Sequence, residues 1–220
     1  MTLIRETNGG NCLKKEDGFT WQNGQIMKTP DKSSKYDASR ARIVSIEQII
    51  YQHKKAETYL QAYFTENAGV PKFDNTVFAQ ICGNSDEMVW LGNEIFCGVG
   101  MQKIDIFTIT NDSPNKMLRI IELKAMIDIR ICKQLERYVN WCLDYLSNEG
   151  NGARPENLYP TIVIPKASRR SEEADVRELT ENLLPEFNRD FRDRCHSVRC
   201  FEYGFDSGKR IVFNERKYSQ

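Results

Sequence analysis

The spacing of apolar residues divides the chain into an irregular part and a regular part. In the first 45 residues, glycines, Pro30 and a run of Ser, Lys and Asp interrupt any period, which predicts an irregular N-terminal extension or arm (residues 1–45). From Ile46 to Phe64 apolar residues recur every three or four positions, which is typical of an amphipathic helix. This helix is expected to end near Gly69.

The pattern beyond this helix predicts a sheet. Short segments rich in Val, Ile, Phe and Trp, separated by glycines and by an Asn-Asp-Ser-Pro-Asn turn, predict a three-stranded meander. These strands cover residues 87–97, 103–109 and 117–124. Helical spacing returns over residues 129–146, and an apolar run at 159–165 predicts a fourth strand.

The C-terminal segment predicts one more helix and a hairpin. A charged helix over residues 172–191 is expected to start from Ser171 as its cap, and strands at 198–203 and 210–213 close the sheet. The order of elements predicts an α/β fold, a mixed central sheet flanked by helices with an α-β-β-β-α-β core. We expect one domain over residues 46–220. Its core lies at about 46–165, and the C-terminal helix and hairpin lie at 166–220.

Composition and charge narrow the class of protein. The 220 residues include 40% hydrophobic residues and balance 31 Lys and Arg against 31 Asp and Glu, as in an ordinary globular domain. Zero net charge supplies no global basic field, so a nucleic-acid partner would need a local patch. No secretory signal or membrane-length apolar stretch occurs, and we expect a cytoplasmic protein. Seven scattered cysteines without a C-x-x-C pair are expected to be reduced and mostly buried.

Two carboxylates and a lysine are the candidate chemistry. Asp105 lies on the second predicted strand, and Glu122 and Lys124 lie at the end of the third. Strand side chains alternate, so Glu122 and Lys124 point to the same side, and the hairpin brings Asp105 near Glu122. Two adjacent carboxylates repel each other unless a divalent cation or an ammonium group compensates their charge. On its own a Glu-x-Lys triplet is typical of a solvated strand edge.

Two further features accompany this pair. Glu57 interrupts the apolar stripe of the first helix; the alternative is an edge residue whose stem covers apolar surface. Gln134 and Tyr138 lie one turn apart on the helix after the Glu-x-Lys strand, so both can face the same cleft.

In combination these residues resemble the PD-(D/E)XK nuclease superfamily, in the branch with a Q-x-x-x-Y motif. The resemblance covers roughly residues 46–165 and departs from the superfamily pattern at Ile104, where a proline is common. It implies a metal-dependent deoxyribonuclease that hydrolyses DNA phosphodiester bonds. Mg²⁺, for which Mn²⁺ would substitute, would be held by Asp105, Glu122 and the backbone carbonyl of Leu123.

The other site residues receive supporting roles from the same resemblance. Lys124 would orient or deprotonate the attacking water and offset developing negative charge. Glu57 would bind a second ion or a water on the first. Gln134 and Tyr138 would position Lys124 or the DNA backbone.

Two basic clusters are candidates for binding DNA. One lies in the extension and is either a DNA-wrapping arm or a solvated linker; it comprises Lys28, Lys32, Lys35, Arg40 and Arg42. The other follows the fourth strand and comprises Lys166, Arg169 and Arg170.

Three functions fit these residues. The favoured one is a type II restriction endonuclease, a homodimer that cuts a short palindromic site in double-stranded DNA. The alternatives are a mismatch or structure-specific repair endonuclease and, from another class, a non-catalytic DNA-binding module with a degenerate nuclease fold. An iron–sulfur exonuclease is disfavoured because Cys195 and Cys200 form only a pair.

Overall fold

Three short strands form a small antiparallel sheet near the N-terminus of the computed structural model. They are β1 (Phe19–Gln22), β2 (Gln25–Lys28) and β3 (Arg42–Val44). The expectation of irregular structure before residue 45 was therefore wrong for these segments, while the domain boundary there stays a prediction. The sequence signal was present: alternating residues flank an Asn-Gly pair, a strong hairpin signal. The structure describes residues 19–22, 25–28, 42–52, 57–98, 102–112, 115–146 and 152–218.

Helices α1 (Ile46–Gln52), α2 (Glu57–Asn67) and α3 (Val77–Cys82) precede the main sheet. The single helix predicted over this region is described as α1 and α2, and residues 53–56 between them lie outside the described ranges. Helix α3 was not predicted, because its six residues are too few for a helical period to stand out. Its cap is Thr76, whose Oγ1 accepts a hydrogen bond from the Ala79 N–H.

The central sheet has six strands in the order β4-β5-β6-β7-β8-β9. Strands β4, β5 and β6 form an antiparallel meander. Strand β7 pairs in parallel with β6, β8 pairs in parallel with β7, and β9 is antiparallel to β8. The strands are β4 (Met88–Phe96), β5 (Lys103–Asp112), β6 (Asn115–Leu123), β7 (Leu158–Pro165), β8 (Arg199–Phe205) and β9 (Ile211–Glu215).

Helix α4 (Ile131–Tyr145) connects β6 to β7, and α5 (Arg170–Glu178) and α6 (Leu184–Phe191) connect β7 to β8 through a π-helical turn. The prediction that Ser171 caps this last helix was wrong. Helix α5 starts at Arg170, and the Glu172 carboxylate reaches back to accept hydrogen bonds from the N–H and hydroxyl of Ser168 at 2.8 and 2.9 Å. A carboxylate in the first turn satisfies free N–H groups as well as a serine does.

Two hydrophobic cores cover the two faces of the central sheet. Residues of α4, α5 and α6 pack with Leu118 and Ile120, and residues of α1, α2 and α3 pack with Ile121 and Leu123. Alternation along β6 directs these pairs to opposite faces. The predicted fold class is confirmed, because a mixed α/β sheet carries helices on both faces and has the α-β-β-β-α-β order.

The structure bears on the expected burial of the cysteines and on the expected lack of a membrane-spanning segment. Five of the six cysteines that the structure describes are buried and Cys132 is partly buried, while Cys12 lies outside the described residues. No helix within the described ranges combines the length and hydropathy needed to cross a membrane. Cytoplasmic location stays a prediction.

Candidate active site

Asp105, Glu122 and Lys124 meet at one end of the β5–β6 hairpin. The pairing of these strands reaches Ile106 opposite Ile121, so the next residues, Asp105 and Glu122, lie beside each other. Lys124 follows β6 directly, and its N–H donates to the Val163 carbonyl of β7 at 2.9 Å. All three charged side chains are buried: Asp105 is 9% exposed, Glu122 2% and Lys124 8%.

The Asp105 carboxylate is fixed by two donors. The Leu123 N–H donates to Oδ2 at 2.8 Å, and the Gln61 side-chain amide donates to Oδ1 at 2.6 Å. Burial raises the pKa of Asp105, although the Leu123 N–H, the charge of Lys124 and the Gln61 amide act in the opposite direction. Gln61 was not among the predicted site residues. Its position four residues after Glu57, on the same side of α2, was the available signal.

Glu122 and Lys124 form a buried ion pair. The Lys124 Nζ lies 2.6 Å from Glu122 Oε1, while Glu122 Oε2 is buried and has no hydrogen-bond partner among the described residues. Burial and then the charge of Asp105 raise the pKa of Glu122 to about 8. Burial alone would lower the pKa of Lys124, but the charge and hydrogen bond of Glu122 outweigh it, and the pKa is raised. Burial and the neighbouring Asp105 carboxylate therefore oppose ionisation of Glu122 more strongly than Lys124 favours it.

Glu57 lies at the border of this group. Its Oε1 accepts a long hydrogen bond of 3.4 Å from the Ala125 N–H, one residue after Lys124. The charge of Glu57 also contributes to the raised pKa of Glu122. The first residue of α2 thus adds a third carboxyl group near the hairpin end.

Tyr138 and Gln134 approach from α4. The Tyr138 hydroxyl donates to the Lys103 carbonyl at 2.6 Å, two residues before Asp105, and the ring is buried. This hydroxyl therefore holds the start of β5, whereas we expected it to position Lys124 or DNA. Burial raises the pKa of Tyr138 well above its ordinary value. Gln134 Oε1 is buried without a partner in the described part of the chain.

The oxygen atoms of this site fit a hard divalent cation. Glu122 Oε2 is an unpaired acceptor, and each Asp105 oxygen uses only one of its two lone pairs. No cluster of three or more His, Cys, Asp or Glu side chains is placed to hold a metal within the described ranges. Mg²⁺ does not require one, because it takes one or two carboxylates and retains several waters.

The two basic clusters differ in what the structure describes. Lys166, Arg169 and Arg170 are exposed and make no ion pair with any described residue. They follow β7, whose C-terminal end lies beside that of β6 because the two strands are parallel. In the N-terminal cluster Lys28 of β2 pairs in register with Arg42 of β3. The other members, Lys32, Lys35 and Arg40, lie outside the described residues.

The pKa of Glu122 predicts pH-dependent stability in the metal-free protein. An unfolded glutamate loses its proton near the ordinary pKa of 4.5, whereas folded Glu122 keeps it up to about 8. The contribution of protonated Glu122 to the stability of the folded state is therefore complete below pH 4.5 and is lost as the pH rises through 8. In EDTA the melting temperature should fall across this window. Glu122→Gln should flatten the fall; an equal fall in both proteins would contradict the pKa.

The Tyr138 hydroxyl is expected to stabilise the start of β5. Tyr138→Phe removes one hydrogen bond and leaves the Lys103 carbonyl without its donor, which should lower the free energy of unfolding by about 1–2 kcal/mol. Thermal melting should show a decrease of roughly 2–8 °C. The matched control is Tyr145→Phe, an exposed position on the same helix. Equal melting of the two variants would show that the bond adds nothing.

Known proteins show little similarity to this chain. No protein-family model matches the chain, and no curated protein matches it. A solved structure, that of SfsA from Pyrococcus furiosus in complex with Ca²⁺, is similar with a TM-score of 0.35 and 10% identity. The similarity covers 87% of this chain and 76% of that one.

Proposed function

We propose that this chain is a Mg²⁺-dependent DNA endonuclease of the PD-(D/E)XK type. The observation that carries the proposal is the buried group Asp105, Glu122 and Lys124 at one strand end, in which Glu122 Oε2 has no protein partner in the described ranges. A protein gains no stability by burying two neighbouring carboxylates, so such a pair is typical of a functional site.

The proposed roles follow from the contacts of each residue. Asp105, Glu122 and the carbonyl of Leu123 would hold Mg²⁺ or, in its place, Mn²⁺. A bound cation would activate the attacking water and offset the charge that develops on the phosphate. Lys124, fixed by Glu122, would orient that water and add positive charge near the reacting phosphate. Glu57 would bind a second ion or a water on the first.

The substrate-binding surface would include Lys166, Arg169 and Arg170. All three side chains are exposed, and they follow β7, whose C-terminal end lies beside the β6 end that carries Lys124. Replacing all three with Ala should weaken DNA binding about 10-fold or more and reduce the slope of log K against log salt by up to about 3. Fluorescence anisotropy at several salt concentrations measures both.

The control is a variant in which three other basic residues are replaced. Arg189, Arg192 and Arg194 are exposed on and after α6, and Arg189 and Arg192 already pair with acids. Their replacement with Ala should leave DNA affinity nearly unchanged. Equal losses in the two triples would indicate binding without a defined basic surface.

The finer proposal is a type II restriction endonuclease acting as a homodimer. Cleavage of both strands of a duplex requires two active sites. A symmetric dimer has two, and its two-fold symmetry matches that of a palindromic sequence. Light scattering of the protein with and without a duplex measures the assembly state. A particle of one chain per duplex would contradict the dimer.

Digestion of a long plasmid with Mg²⁺ tests the function and separates the rivals. Discrete fragments that disappear with EDTA would support a restriction endonuclease. Nicking, or cutting only at mismatches or branched structures, would indicate a repair endonuclease and overturn the restriction assignment. Binding without any cleavage, in Mg²⁺ and in Mn²⁺, would indicate a non-catalytic DNA-binding module.

A further inference from the structure

Helix α2 contributes the side chain of Gln61 to the cluster of Asp105, Glu122 and Lys124. The helix packs against the sheet through Leu60 and Phe64, whereas Gln61 is partly buried at the border of this core. Its amide nitrogen lies 2.6 Å from Asp105 Oδ1, a contact between residues 44 positions apart. This hydrogen bond from a separate helix restricts the orientation of the Asp105 carboxylate.

We propose that Gln61 is a positioning residue that orients Asp105 to bind the divalent cation. This inference rests on the proposed function and goes beyond it by assigning a role to a residue outside the predicted motif. Asp105 has two anchors: the Leu123 N–H, which belongs to the backbone of β6, and Gln61, which comes from a separate helix. A carboxylate held at both oxygens has a fixed plane.

The hydrogen bond from Gln61 does not compete with a cation. Each carboxylate oxygen accepts two bonds, and Asp105 Oδ1 and Oδ2 each accept one. Because both oxygens are held, the remaining lone pairs keep a defined direction in which a cation can bind. Without Gln61 the carboxylate could rotate about its remaining anchor, and a cation would have to fix that rotation on binding. Partners of this kind in other metal sites change affinity or activity by about 10–100-fold.

Gln61→Met tests this role because methionine keeps the length and helix preference of glutamine but donates no hydrogen bond. Calorimetric titration with Mn²⁺ alone, without DNA, is the direct readout. We expect Gln61→Met to weaken Mn²⁺ binding about 10-fold. A second variant, Gln61→Asn, keeps the amide on a shorter side chain and should weaken binding as well. The control is Gln48→Met, an exposed position on α1, which should bind Mn²⁺ as the unmodified protein does.

Cleavage assays add a readout that a general loss of stability would not give. Gln61 contacts none of the residues proposed to bind DNA, so Gln61→Met should leave KM for DNA unchanged. The variant should cleave more slowly at a low Mg²⁺ concentration and recover much of its rate in excess Mg²⁺. Unchanged Mn²⁺ affinity in both Gln61 variants would overturn the positioning role. If the unmodified protein itself binds no Mn²⁺, the proposed function fails instead, and the two failures are thereby distinguished.

Discussion

Glu122→Gln is expected to reduce Mg²⁺-dependent DNA cleavage by about 1,000-fold or more. The substitution keeps the shape of the side chain but removes one of the two buried carboxylates that would hold the cation. The charge stabilisation that a bound metal supplies amounts to several kcal/mol, and about 4 kcal/mol corresponds to a factor of 1,000 in rate. Rates on a plasmid or a labelled duplex at saturating Mg²⁺ measure the loss, and Asp105→Asn should behave in the same way.

The control for this prediction is Glu94→Gln. Glu94 of β4 also pairs with a lysine, Lys103 at 3.0 Å, but these side chains are 50% and 31% exposed. Its replacement should leave cleavage within about twofold, since exposed ion pairs contribute little. Cleavage by Glu122→Gln or Asp105→Asn at the unmodified rate would remove these carboxylates from the mechanism.

Lys124→Met should lower the cleavage rate by about 100–1,000-fold, the size of effect seen when one charge-stabilising donor is removed from an active site. Methionine fills the space of the lysine stem but carries no charge. Because Asp105 and Glu122 remain, a divalent cation should still stabilise the variant against heat. The distinguishing result is therefore loss of catalysis with retention of cation binding, measured by cleavage rates and by melting with and without Mn²⁺.

Lys103→Met is the matched control for Lys124. Lys103 pairs with exposed Glu94, and its ammonium group lies over the ring of Phe96. We expect normal cleavage from this variant. Equal losses from Lys103→Met and Lys124→Met would indicate a general requirement for positive charge, and Lys124 would then have no specific role.

The local pattern predicted most of the central sheet and the meeting of the charged residues. Asp105 and Glu122 lie on antiparallel strands that are consecutive in the chain, so strand alternation and hairpin geometry suffice to bring them together. The strands at 103–109 and 117–124 were predicted within three residues of the observed β5 and β6. Short-range rules work here because the site is built largely within one hairpin.

Contacts between distant segments could not be predicted in this way. Gln61 reaches Asp105 across 44 positions, and the Tyr138 hydroxyl reaches the Lys103 carbonyl across 35. Periodicity indicates which face of a helix is buried, but it does not indicate which strand atom lies opposite a given side chain. For this reason the expected role of Tyr138 differed from its contact, and Gln61 was not predicted at all.

The small N-terminal sheet shows a different source of error. Glycines, Pro30 and charged residues favoured an irregular extension, while the short strands β1 and β2 carry only four residues each. Composition over a long window outweighed a local Asn-Gly signal that is more specific. Tertiary pairing, here of β2 with β3, adds hydrogen bonds that no window of sequence contains.

The most direct test of a cation site at Asp105 and Glu122 is thermal melting of the metal-free protein and of Asp105→Asn, each with and without millimolar Mn²⁺ or Mg²⁺. A cation that binds only the folded state at about 100 times its dissociation constant adds about 2.7 kcal/mol of stability, or roughly 5–10 °C. We expect this rise in the unmodified protein and its absence in Asp105→Asn. No rise in the unmodified protein, with DNA absent and present, or an equal rise in both proteins, would contradict a cation site at Asp105 and Glu122.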